Sequence, residues 1–113
     1  MPDCIFCRII KGEIKSDIIF RDDRAVAFPD VYPKAPVHIL IVPIEHIPSV
    51  AELDEAKAAI CAHMVTVANR LAREQGISES GYRLVTNRGP DAGQAVLHLH
   101  MHLIGGKEMG DIA

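Results

Sequence analysis

The stretch His98-Leu99-His100-Met101-His102-Leu103-Ile104 decides how this chain is read. Its period of two is that of a β-strand. It sets three imidazoles on one face and Leu99, Met101 and Leu103 on the other. The apolar face can join a core, and the histidine face is expected to be displayed in a cleft. Alternate strand residues lie about 6.6 Å apart and the outer pair about 13 Å apart, so three histidines on a straight strand reach one metal ion only with difficulty. The spacing therefore predicts divided roles. Neutral imidazole is a good nucleophile near pH 7 when its other nitrogen holds the proton, and a backbone carbonyl can fix that tautomer. A neighbouring histidine can then contact a leaving atom or a phosphate oxygen.

Upstream lies Asn87-Arg88-Gly89-Pro90-Asp91-Ala92-Gly93-Gln94-Ala95. Gly93 would let backbone N–H groups approach an anion, and Asn87 and Gln94 would supply amide donors. The same composition also describes an ordinary turn. Further out, residues 82–86 and 38–42 read as strands, the latter stopped by Pro43. Residues 18–21 and 25–28 read as a hairpin around Asp22-Asp23. Pro29, Pro33 and Pro36 make a loop of the next stretch. Between residues 49 and 75, Leu53, Ala56, Ile60, Met64, Val67 and Leu71 form a helical stripe, with Ser49 or Asp54 as cap and Gly76 as stop. Residues 4–11 read as a short helical turn ending at Gly12. The expected fold class is α+β: a five-stranded antiparallel sheet packed with one long helix and a short N-terminal helix, in a single domain over 1–113.

Composition narrows the function classes. The chain has 113 residues, 49% hydrophobic and 24% charged, which excludes disorder and collagen-like fibre. Aromatics are 4% and Trp is missing, so the core must be aliphatic. The net charge of −3 disfavours nucleic acid as a partner. No apolar run approaches the roughly 20 residues of a membrane span. Met1-Pro2-Asp3-Cys4 carries no basic region, so no secretory signal is expected. Three cysteines give no disulfide framework, and Cys4-x-x-Cys7 fits a thiol metal site, a redox pair or buried thiols in a reducing cytoplasm. Cys61 and His63 fall in the helical pattern and are assigned no chemistry.

These residues together resemble the histidine triad family of nucleotide-binding proteins, whose signature is three histidines alternating with apolar residues. Gly105-Gly106 follows the triad as in its histidine triad nucleotide-binding branch. The likeness extends through Cys4-Ile5-Phe6-Cys7-Arg8-Ile9-Ile10, through Ala27-Phe28-Pro29-Asp30-Val31-Tyr32-Pro33-Lys34-Ala35-Pro36-Val37-His38, and through Val42-Pro43-Ile44-Glu45-His46-Ile47 and Tyr82-Arg83-Leu84-Val85-Thr86-Asn87.

The resemblance implies a homodimer whose sheets join into ten strands, and hydrolysis or transfer of purine nucleotides of the AMP or GMP type through a nucleotidyl-histidine. It implies His100 as nucleophile, His102 at the phosphate or leaving group, and His38 as support. Asn87, Gly93, Gln94 and Ala95 would lie at the phosphate, Asp30 at the ribose hydroxyls, and Ile5, Phe6, Ile9, Phe28 and Val31 around the base. For these apolar residues plain core is an equal reading. The resemblance further implies zinc held by Cys4, Cys7, His46 and His98. Two departures stand out. Ala95 stands where the branch commonly has Ser. Gly105-Gly106 is followed by Lys107-Glu108-Met109-Gly110-Asp111-Ile112-Ala113, without the Trp- and Pro-rich tail of the branch. The expected activity is that of a nucleoside phosphoramidase. A dinucleoside polyphosphate hydrolase and a binding module with little catalysis are the alternatives.

Overall fold

The computed structural model describes residues 4–112. Met1-Pro2-Asp3, read above for a leader, lies outside them. Helix α1 (Ile5–Ile10) is capped by Cys4, whose Sγ accepts the Cys7 N–H at 3.3 Å. Strands β1 (Phe20–Arg21), β2 (Ala25–Pro29), β3 (Val37–Pro43), β4 (Tyr82–Val85) and β5 (Met101–Gly105) form one antiparallel sheet in the order β1-β2-β3-β5-β4. Helix α2 (Ala58–Glu74) lies between β3 and β4 in the chain. None of the described helices is long and apolar enough to cross a membrane.

The sheet is covered on both sides. Met64, Val67, Ala68, Leu71 and Ala72 of α2 recur at the 3.6-residue period and bury against Ile39, Ile41, Leu99, Met101 and Leu103. On the other face Phe6 and Ile9 of α1 pack on Val26, Phe28, Leu40 and Val42. Buried on both sides, β2 shows an unbroken apolar run rather than alternation.

Four expectations about elements need correction. The long helix starts at Ala58, not near Ser49. Both cap residues act, each on its own 3₁₀ turn: Ser49 on Val50–Glu52 and Asp54 on Glu55–Lys57, with Leu53 extended between them. Ala56 consequently sits exposed rather than in the stripe. The first strand keeps only Phe20 and Arg21 of the predicted four residues.

The fourth correction matters most. Strand β5 starts at Met101, so His98 and His100 lie outside the ladder. Pro43, at the end of β3, has no N–H to donate, and its carbonyl is taken by the His98 ring at 2.8 Å. Nor is the histidine face displayed: His98 is fully buried and His100 is 8% exposed.

Candidate active site and metal centre

Residues 98–100 are pinned by individual hydrogen bonds instead of strand pairing. Leu99 N–H donates to Ile47 O at 2.6 Å. Thr86 Oγ1–H donates to His100 O at 2.9 Å, just past the last β4 pair. Phe6 meets the rings of His98 and His100 edge-on, at 5.8 and 5.1 Å between centroids.

The partners assign each imidazole its tautomer. His100 Nδ1–H donates to His98 O at 2.7 Å, which leaves the Nε2 lone pair free. His98 Nε2–H donates to Pro43 O, which aims the Nδ1 lone pair at Cys4 Sγ, 3.2 Å away. His38 Nδ1 accepts the Lys34 N–H at 3.0 Å, so its proton is on Nε2. That proton faces His102 Nδ1 at 2.9 Å and Asp30 Oδ2 at 3.3 Å. His102 Nδ1 is therefore an acceptor, and its Nε2–H is left as a donor.

Burial disfavours the charged forms. It pushes His102 down to about 4, helped by neighbouring His100 and His38 and opposed by Asp30. Burial likewise lowers His38 against the pull of Asp30. It lowers His98 against the pull of the Pro43 carbonyl. All three are neutral at pH 7, as the tautomers require.

Two groups of side chains have the composition of metal sites. Asp30, His38 and His102 converge, but the Lys34 N–H on His38 Nδ1 keeps a proton on the nitrogen that would have to ligate. That group is a hydrogen-bonded relay. Cys4, Cys7, His46 and His98 are different, their donor atoms all lying within 4.8 Å of one another. Tetrahedral zinc with ordinary bond lengths separates its ligand atoms by about 3.3–3.8 Å. Here Cys4 Sγ and His98 Nδ1 are 3.2 Å apart, Cys7 Sγ and His46 Nδ1 3.3 Å, and Cys7 Sγ and His98 Nδ1 3.6 Å. The donor set and its spacing fit zinc. Burial and the neighbouring Cys4 push the Cys7 thiol up.

The remaining predicted positions divide. Phe6, Ile9 and Phe28 are core, whereas Ile5 is 45% and Val31 81% exposed, free to meet a ligand. Asp30 Oδ1 accepts the Tyr32 N–H at 2.8 Å. Asn87 is half-buried and makes no side-chain hydrogen bond among the described residues. The glycine-rich loop departs from expectation. Gly93 N–H is taken by Pro90 O at 3.0 Å, and the residue is glycine for its φ of +80°, not for close approach. Gln94 offers its amide to the protein, not to a ligand: Oε1 accepts Gly89 N–H, and Nε2 donates to Pro48 O and Val96 O. Among the described residues, the N–H groups of Ala95 and Val96 have no protein acceptor.

Thr86 and the Gln94 contacts escaped the sequence reading, because their partners lie 14 and up to 46 positions away. His63 also has a partner: its Nε2–H meets Asp22 Oδ2 at 2.7 Å, at the β1–β2 turn.

The HIT domain profile matches residues 11–109. The purine nucleoside phosphoramidase of Escherichia coli K12 is 45% identical over 108 residues, spanning 96% of this chain and 91% of that protein. The structure of a HIT family hydrolase from Clostridium thermocellum superposes with a TM-score of 0.95 at 50% identity, covering 98% of this chain and 96% of that one. A histidine triad protein from Clostridium difficile gives 0.96 at 42% identity, covering 100% and 98%. A profile match over most of the length, together with such identity, places the chain in the HIT family.

Proposed function

We propose that this protein hydrolyses purine nucleoside 5′-phosphoramidates, releasing the nucleoside monophosphate. The observation that carries the reading is the hydrogen bond that sets the tautomer of His100: with Nδ1–H held by the His98 carbonyl, the neutral ring presents Nε2 as the nucleophile. Its lone pair forms a bond to the α-phosphorus as the P–N bond breaks, and the amine leaves with a proton from water. A water molecule then displaces His100 from phosphorus and restores the neutral ring. His102 Nε2–H donates to a phosphate oxygen or the leaving atom, and His38 holds its tautomer through the 2.9 Å bond to Nδ1. The N–H groups of Ala95 and Val96 and the Asn87 amide would take the charge that grows on the phosphate oxygens. Asp30 would accept the ribose hydroxyls, and Ile5 and Val31 would close on the base. The phosphoramidase of Escherichia coli supports this substrate class.

The test is turnover of adenosine 5′-phosphoramidate against a dinucleoside polyphosphate, with mass spectrometry of the quenched reaction. The expected result is preference for the phosphoramidate and an adenylyl adduct on His100. Preference for the polyphosphate would reassign the substrate class, and an adduct on His98 would overturn the mechanism.

The same reading includes zinc on Cys4, Cys7, His46 and His98, a second copy of the chain paired along β4, and a reducing cytoplasmic setting, which the free cysteines support. Zinc there would tie α1 to the His98 segment and add to folding stability. Strand β4 ends the sheet, and all four of its residues are half-buried, which suits pairing across that edge. One sample checks both: sedimentation at twice 12.4 kDa and about one zinc per chain are expected. A 12.4 kDa species, or metal-free protein of unchanged melting temperature, would remove the corresponding part.

A further inference from the structure

We infer that Gln94 is a positioning residue: without touching substrate, it aims the Ala95 and Val96 N–H groups at the phosphate. The inference rests on the hydrolase reading above for its chemistry, and on geometry alone for its mechanics. Three hydrogen bonds leave the Gln94 side chain. Oε1 accepts Gly89 N–H at 2.9 Å, across the base of the loop. Nε2 donates to Val96 O at 3.1 Å, on the far side of Ala95. It also donates to Pro48 O at 2.8 Å, in the segment that follows His46. The amide thus uses an acceptor and both donors, all on backbone groups of two separate segments.

The consequence falls on one dipeptide. Ala95 and Val96 stand between Gln94 and the His98 segment, and the Val96 side chain packs into the α1-side core. Their peptide planes are fixed at one end by the Gln94 backbone, whose N–H bonds Gly89 O at 3.1 Å, and at the other by the Val96 carbonyl. The bond to Pro48 O ties that short arch to the segment whose Ile47 carbonyl holds Leu99 N–H. Arch and nucleophile are thereby referred to the same stretch of backbone. Donors that must meet a developing oxyanion act only when they are held in place beforehand.

The experiment uses Gln94→Met, which keeps the volume and removes all three bonds, with Gln94→Ala alongside. Affinity is measured for AMP and for adenosine, and turnover for two adenosine phosphoramidates differing only in the amine. The melting temperature of each variant shows that it is folded. The expected result is a loss of about tenfold in AMP affinity with adenosine affinity unchanged. Turnover should fall about 100-fold, equally for both amines. A positioning role is overturned if AMP and adenosine affinities fall together, since a loop that merely unravels would spoil the whole pocket. A loss that depends on the amine overturns it too, because it would put Gln94 in contact with the leaving group. AMP affinity within twofold of wild type would also overturn it. Failure of the wild-type protein to turn over any phosphoramidate would remove the hydrolase reading and leave the AMP-against-adenosine comparison intact as the test of Gln94.

Discussion

The two faces of the sheet are built from the same strands by different physics. On the α2 side Leu99, Met101 and Leu103 enter a cluster with Met64, Val67 and Leu71, held by burial alone. On the α1 side His98, His100 and His102 alternate with them, and each is oriented by a specific hydrogen bond. Burial is non-directional, so the first face tolerates repacking. Directed bonds are not interchangeable: moving one proton from Nδ1 to Nε2 of His100 would remove the nucleophile without moving a heavy atom. Both faces carry core, and only the α1 side carries the chemistry.

A pair of substitutions on opposite faces can break this division. His100→Ala should lower turnover by about four orders of magnitude or more, while altering nucleotide affinity much less. Leu103→Ala should cost about 2–5 kcal/mol of stability, because it empties a fully buried site in the α2-side cluster. Its turnover, measured well below the melting temperature, should stay close to wild type. Kinetics and thermal melts on both proteins check the pair. If Leu103→Ala lost activity as steeply as His100→Ala, the two faces would not be separable.

Acid should separate the faces by a smaller margin. His102 is held near 4 in the folded protein and titrates near 6.5 when unfolded, and His38 and His98 are lowered in the same direction. Between those values the unfolded chain binds more protons than the folded one. Stability therefore rises with pH across the window and is lost as pH falls from about 6.5 towards 4. Melting temperatures from pH 7 to 4 should show this loss, and His102→Gln should flatten it. A slope unchanged in His102→Gln would assign the loss to His38 and His98 instead.

How far each face could be read from sequence follows from the same contrast. The α2 side was legible because periodicity reports burial: Met64, Val67 and Leu71 at helical spacing, Leu99, Met101 and Leu103 at strand spacing. The triad was legible as a group for the same reason. Its internal assignment was not, because the start of β5 depends on Pro43, whose carbonyl goes to a histidine 55 positions later. Gln94 illustrates the limit. Its residue type permits a ligand contact, and only the positions of Gly89, Pro48 and Val96 show that the amide is already occupied.

The smallest expected effect concerns a histidine that belongs to neither face. His63 Nε2–H bonds Asp22 Oδ2, while Asp22 Oδ1 accepts the N–H groups of Arg24 and Ala25 at 2.8 and 2.7 Å. Burial pushes the Asp22 carboxyl up, but these bonds and the nearby His63 outweigh it and hold it below the usual carboxylate range. Its contribution is thus present at neutral pH and lost only in acid below the histidine window. The pair fastens α2 to the β1–β2 turn and bonds to no member of the triad. With His63 and Asp22 side chains 14% and 30% exposed, the bond to the carboxylate is worth about 1 kcal/mol. His63→Ala should therefore destabilise less than Leu103→Ala and leave turnover within about twofold. A double-mutant cycle with Asp22→Ala should return a coupling of about 1 kcal/mol at pH 7, falling towards zero once Asp22 is protonated. A coupling indistinguishable from zero at pH 7 would show the contact to be energetically idle. A loss of turnover in His63→Ala would connect the turn to the active site, and with it the two faces that the larger effects keep apart.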